Sequence, residues 1–152
     1  MSAIAQLLPP EHILLDLDVP NKEFVFESVG HLLDGRYGLR QAQVVDSLDA
    51  RERLGCTGLG HGVAIPHARI KGLNRAVAVF VRTRSPIPFD APDGRPVFAM
   101  VVLLVPQQAN EQHLKILAEV AEMFSDRNFR EQLKTCADPA AVSGLFADWP
   151  PA

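Results

Sequence analysis

Cysteine is scarce in this chain. Cys56 and Cys136 are its only two, too few for a disulfide framework, and their separation fits no zinc-binding spacing. They read as incidental thiols of a reducing compartment. Runs of basic residues are missing as well. The 15 Lys and Arg are outnumbered by 18 Asp and Glu, leaving a net charge of −3, so there is no electrostatic case for a nucleic-acid partner. Long apolar runs are also absent. "VFAMVVLLV", Val97 to Val105, is nine residues, whereas a membrane-crossing helix needs about 20. Residues 1–10 lack a positive segment leading into an apolar run, so no signal peptide is expected. No internal repeat or low-complexity linker divides the chain. These absences predict a soluble, cytoplasmic protein without stable membrane insertion. They also predict a single domain over 1–152, with its core at about 10–146 and a C-terminal tail at 147–152.

What is present is ordinary for a folded protein: 47% apolar and 22% charged residues, in a chain long enough to bury a real core. "HILLDLDV" (His12 to Val19) has short-strand character and stops at Pro20. Asn21 then caps a helix with Phe24, Val25, Val29, Leu32 and Leu33 at helical spacing, ended by Gly35 and Gly38. A second helix covers Arg40 to Leu54, burying Val44, Val45 and Leu48, with Gly55 as its stop. Ala76 to Thr83 and Pro96 to Pro106 are rich in β-branched residues and read as strands. The latter is apolar on both faces, which predicts a central strand covered on each side. "SPIPFDAPDGRP" between them reads as a turn-rich loop. Asn110 caps a helix carrying Leu114, Leu117, Ala118, Ala121 and Phe124. Further helices run from Asp126 to Thr135 and from Asp138-Pro139 to Phe146. Helices and strands in this mixed order predict an α/β fold, a small mixed sheet flanked by helices on both faces.

The chemistry concentrates in "GLGHGVAIPHAR", residues 58–69. A dinucleotide fingerprint would need a third glycine where Val63 stands, and no Gly-Lys-Ser/Thr closes a P-loop. A metal reading is poorly served, since His61 and His67 are six apart, and neither Cys56 nor His113 adds a characteristic interval. The remaining reading makes His67 a phosphoryl acceptor. Val63 to Ile65 is a short strand stopped by Pro66, which has no N–H to donate, so His67 is expected where the strand leaves the sheet. Gly58, Gly60 and Gly62 let backbone N–H groups approach an anion closely. A neutral imidazole nitrogen is nucleophilic near pH 7.

His113 lies about three residues inside the helix capped by Asn110. There the helix dipole disfavours imidazolium and favours a bound phosphate. It shares a face with Leu117, Val120 and Phe124, and a packing role for it stays open at this point. Arg51 and Glu52 lie on the last turn of the second helix. "ARER" reads as a solvated helix end unless the fold returns it to His67, in which case the Arg51 fork would suit phosphoryl oxygens. Arg69 and Lys71 read as a partner-docking rim.

The string "RERLGCTGLGHGVAIPHA", Arg51 to Ala68, resembles the phosphorylation-site segment of phosphotransferase-system enzyme IIA domains of the mannitol/fructose class. The resemblance continues through "AVAVFVR", "FDAPDGRPV" and "LLVPQQANEQHLKIL", about residues 10–146. Within that class the chain is most similar to the nitrogen-related regulatory branch. The resemblance implies a cytoplasmic phosphotransferase that needs neither cofactor nor metal. His67 would take a phosphoryl group from a histidine of an HPr-like phosphocarrier protein and relay it, or use it as a switch on regulated proteins. His113 would hydrogen-bond the phosphoryl group, and Arg51 would lie near it. A sugar-specific transport IIA, passing the group to a IIB domain, is the alternative within the class. A histidine-based metal protein and a catalytically silent interaction module are the alternatives outside it. Three positions depart from the pattern: Phe98 stands where an acidic residue is common, Cys56 where serine is usual, and His61 where a small polar residue is frequent. Phe98 is expected to alter the neighbourhood of the site.

Overall fold

The computed structural model describes residues 2–108 and 110–150. Within them the elements run β1 (Ile13–Leu17), α1 (Lys22–Leu33), α2 (Gln41–Leu54), β2 (Gly58–Gly60), β3 (Val63–Ala64), β4 (His67–Ile70), β5 (Val77–Ile87), β6 (Val97–Pro106), α3 (Glu111–Ser125), α4 (Arg127–Thr135) and α5 (Pro139–Ala147). Two short 3-10 turns precede β1. The fold is α/β, one domain with a mixed six-stranded sheet ordered β1-β5-β6-β3-β2, and β4 also pairs with β6. Four helix starts follow from local chemistry. Asn21, Asn110, Asp126 and Asp138 each accept a backbone N–H of the first turn through the side chain, satisfying donors that the helix leaves unpaired.

β6 is the central strand, as its two apolar faces predict. Met100, Val102 and Leu104 pack with α1 and α2, whereas Val101, Leu103 and Val105 pack with α3, α4 and α5. β5 alternates in the same way, Val79 and Val81 to one side and Ala78 and Phe80 to the other. The two-residue period of a strand thus feeds two separate cores. The second core reaches back to Ile4 and Leu8, both fully buried, beyond the expected start near residue 10. It also reaches forward into the expected tail, where Trp149 sets its ring edge-on to Phe129 at 5.5 Å. Residues 151 and 152 of that tail lie outside the described residues.

Two helix faces differ from expectation. Phe26, not Phe24, is buried in α1. In α3 the buried stripe is Ile116, Val120, Met123 and Phe124, while Leu114 and Ala118 are exposed. β5 runs on to Ile87, so Ser85 and Pro86 belong to a strand instead of the loop.

The segment around Pro66 departs most from the sequence reading. β3 and β4 both run parallel to β6, and the register, Val63 opposite Ala99 and His67 opposite Leu103, keeps the same offset across the proline. Pro66 still accepts the Leu103 N–H through its carbonyl, at 2.9 Å. Proline forfeits the bond its nitrogen would give β6, but the carbonyl bond and the unbroken register carry the sheet across it, and His67 opens β4 instead of leaving the sheet. Upstream, β2 and β3 form an antiparallel hairpin turned at His61-Gly62. Both residues have positive φ, 57° and 82°, as two-residue hairpin turns of type I′ require. The Asp93 carboxylate accepts the His61 N–H at 2.8 Å and the Arg95 N–H at 3.1 Å. These two bonds hold its pKa below the usual carboxylate value.

Candidate functional site

His67 begins β4 and shares its sheet face with its partner Leu103. Its Nδ1 lies 2.8 Å from the Ile65 carbonyl oxygen. A carbonyl can only accept, so Nδ1 carries the proton and Nε2 carries the lone pair. The acceptor is available because strand groups alternate in direction. Ile65 faces away from β6, its N–H donating to the Thr57 carbonyl at 3.1 Å, while the ladder bond to Leu103 N–H comes from the Pro66 carbonyl, which leaves the Ile65 carbonyl for the ring.

His113 sits at the third position of α3. Its Nδ1 accepts the Asn110 N–H at 3.1 Å, and the Asn110 side chain accepts from Gln112 N–H at 3.0 Å. This is a capping box in which imidazole takes the role usually given to Glu or Gln. With Nδ1 an acceptor, the proton of the neutral ring resides on Nε2. The two histidines are therefore held in opposite tautomers, each by a main-chain group: His67 offers a lone pair at Nε2, and His113 offers an N–H there.

Both rings line one cavity of about 550 Å³ at the sheet edge between α2 and α3. β4 and β6 contribute Arg69, Leu103 and Val105, and α3 adds Leu114 and Leu117. Arg51 and Leu54 come from the end of α2, so the fold does return "ARER" to His67. Arg51 is half-buried, and its Nη1 donates to the Gly55 carbonyl at 2.9 Å. That bond caps the α2 C-terminus and fixes the guanidinium. The lining contains Arg51 and Arg69 but no carboxylate, and it includes the first turn of α3, where a helix favours anions. Around it Leu54 is 85% and Leu114 is 63% exposed. Such large apolar side chains in water, beside a charged cavity, form a rim suited to a protein partner.

Other expected residues lie elsewhere. Gly58, Gly60 and Gly62 are absent from this lining. They belong to the β2–β3 hairpin and make room for its neighbours: a Cβ on Gly58 would stand 3.0 Å from Ala91 Cβ, and one on Gly62 only 2.7 Å from Phe98 Cδ1. The cavity that brings the two imidazoles together is bounded instead by Arg51 and the first turn of α3. His61 and Phe98 line a different hollow, of about 480 Å³, together with Arg82 and Lys134. Phe98 therefore leaves the His67 cavity untouched, and its ring lies under Lys134 Nζ at 5.1 Å. His61 and His67, the pair a metal reading needs, line separate cavities. Among the described residues no three His, Cys, Asp or Glu side chains gather as metal ligands. Partial desolvation pushes the Cys56 thiol up in pKa; its Sγ lies 3.0 Å from the Phe89 carbonyl oxygen, while the residue as a whole is exposed. Glu52, read as solvent-facing, is buried.

No side-chain signal marks the Ile65 carbonyl, which acts through main-chain geometry. Leu54 and Leu114 were readable as apolar but not as exposed.

The family model for the phosphoenolpyruvate-dependent sugar phosphotransferase system, EIIA 2, matches residues 6–149. A nitrogen regulatory protein of Pseudomonas aeruginosa is 34% identical over 149 residues, 97% of this chain and 97% of that protein. The crystal structure of nitrogen regulatory protein IIA-Ntr from Neisseria meningitidis superposes with a TM-score of 0.91 at 46% identity, covering 95% of this chain and 99% of that one. A fructose-specific EIIA component of Haloferax volcanii is 32% identical, covering 95% of each chain. Matched along nearly its whole length by that family model and by these relatives, the chain belongs to the EIIA 2 family of the phosphoenolpyruvate-dependent sugar phosphotransferase system.

Proposed function

We propose that the protein is a regulatory IIA of a nitrogen-related phosphotransferase system, phosphorylated on Nε2 of His67. The observation that carries the chemistry is the pair of opposed tautomers bordering one cavity. The Nε2 lone pair of His67 attacks the phosphorus of a carrier's phosphohistidine in line. The new P–N bond forms as the old one breaks, and its electron pair returns to the carrier's imidazole. No proton leaves His67, because Nδ1–H stays on the Ile65 carbonyl and steadies the positive ring that phosphorylation creates. The His113 Nε2–H and the Arg51 guanidinium hold phosphoryl oxygens, so catalysis is positioning and electrostatic stabilisation. The carrier is an HPr-like protein that buries Leu54 and Leu114, each worth about 1.5–3 kcal/mol when fully covered.

The regulatory assignment rests on similarity to proteins named as nitrogen regulators. The added phosphate brings close to two negative charges to the rim and changes which partner surface fits. The fructose-specific relative favours a second reading, in which the group passes on to a IIB domain.

The test is incubation with phosphoenolpyruvate, the general phosphotransferase enzyme and its phosphocarrier, followed by intact mass. An acid-labile gain of one phosphoryl group, absent in His67→Ala, is expected; no gain in the wild type overturns the proposal. A purified IIB domain that then discharges the label rapidly would favour the transport reading.

A further inference from the structure

Glu52 occupies a place that electrostatics disfavours. It lies in the last turn of α2, where the helix dipole repels an anion, and its side chain is only 5% exposed. A carboxylate desolvated at a helix C-terminus requires specific partners. It has them. The Thr57 hydroxyl donates to one oxygen at 2.7 Å, and the Thr57 N–H donates to the other at 3.0 Å. Lys22 Nζ reaches that second oxygen at 3.3 Å.

Thr57 is thereby held at two points, and what it holds is the acceptor of the active histidine. Its carbonyl takes the Ile65 N–H at 3.1 Å, and the Ile65 carbonyl takes the His67 Nδ1–H at 2.8 Å. The chain Glu52–Thr57–Ile65–His67 closes the base of the β2–β3 hairpin, beyond the Gly58–Ala64 pair. It reaches His67 at the proline break, where the edge strand has no ladder bond from the nitrogen of residue 66.

We propose that Glu52 is a positioning residue for His67: by fixing Thr57 it fixes the Ile65 carbonyl, and so selects the tautomer that exposes the Nε2 lone pair. The inference rests on the reading of His67 as phosphoryl acceptor. Its action is geometric. The linked N–H and C=O groups belong to successive peptides, so no proton or charge passes along the chain. Glu52 does not line the His67 cavity, which separates it from groups that touch the phosphoryl oxygens.

The experiment compares Glu52→Ala and Glu52→Gln with the wild type. The imidazole ¹⁵N signals of His67 report the tautomer, and transfer from the phosphorylated carrier is followed over a range of carrier concentrations. Glutamine keeps an oxygen for the Thr57 N–H and an amide that can donate to the Thr57 hydroxyl. It is expected to retain the Nδ1–H signature and a rate within about threefold of wild type. Alanine is expected to mix the tautomers and lower the maximal rate by about tenfold or more, the scale of a small misplacement of a reacting group. Half-saturation by the carrier stays within about twofold, because the rim is unchanged. Should Glu52→Ala fail to fold, Thr57→Val, which deletes only the hydroxyl donor, decides by the same two readouts. A folded variant with the wild-type ¹⁵N signature and rate overturns the proposal. Failure of the underlying reading looks different, since the wild type itself then takes no phosphoryl group.

Discussion

His113 has two jobs in this structure, and substitution can pull them apart. Its Nδ1 closes the capping box of α3, and its Nε2–H is the proposed phosphoryl donor. Alanine removes both. Loss of the cap is expected to cost about 0.5–1 kcal/mol of stability. Loss of a hydrogen bond to a charged group costs about 1.5–3 kcal/mol, which corresponds to a roughly 10- to 150-fold slower transfer. Glutamine, a natural capping-box residue, accepts the Asn110 N–H and still donates through its amide, so stability returns to wild type and the rate recovers in part. Glutamate is the decisive change. It keeps the cap and is favoured by the dipole at that end of α3, but it has no N–H and repels the phosphoryl group. Stability should therefore rank the glutamate and glutamine variants above the alanine variant. Rate should rank glutamine first, alanine second and glutamate last. Urea unfolding measures the first order, and rapid-quench transfer from the labelled carrier measures the second. If His113→Glu transfers faster than His113→Ala, the rate follows the helix cap, and His113 has no direct contact with the phosphoryl group.

Gly62→Ala places a Cβ 2.7 Å from the Phe98 ring at φ +82°; it is expected to destabilise the fold by about 1–3 kcal/mol, and an unchanged denaturation midpoint would refute the hairpin assignment. Asp93 links the same hairpin to pH. Because the His61 and Arg95 N–H bonds lower its folded pKa, its contribution to stability is present above its unfolded pKa of about 3.9 and is lost as pH falls through the lower folded value. Wild type should exceed Asp93→Asn in stability near neutrality and converge with it in acid; a gap that persists in acid would refute the linkage.

Local chemistry was legible and non-local placement was not. The capping residues Asn21, Asn110, Asp126 and Asp138 act on N–H groups within three positions, so their helices could be read from adjacent residues. The break at Pro66 misleads for the opposite reason. The sheet survives the proline because the Leu103 N–H still reaches the Pro66 carbonyl, and that donor sits on β6, some 36 residues on in the pairing. The face of α3 misleads because Leu114 is apolar without belonging to the core. It lies off the buried stripe and serves the rim. The glycines of 58–62 suited both a phosphate cradle and a tight hairpin; the fold builds the hairpin, with Gly62 against Phe98 and positive φ at 60–62, and neither feature is visible in composition. Glu52 was hidden by its neighbours. In "ARER" three of the four residues carry charge, and only the fold turns the middle carboxylate inward.

The division of labour in the site follows from which atoms do the holding. The tautomers of both histidines are set by main-chain groups, the Ile65 carbonyl and the Asn110 N–H. A carbonyl survives any substitution at its position, and an N–H survives any but proline. Phosphoryl chemistry of the proposed kind is thus anchored in the backbone. The rim is different: on the proposed reading Leu54, Leu114 and Arg69 meet a partner only through their side chains. Exchanging those three is expected to redirect the protein to another partner without disturbing the nitrogen proposed to be phosphorylated. On that reading a fold organised in this way serves a transport chain or a regulator with the same two histidines, the choice being made at the rim and not at the bond being formed.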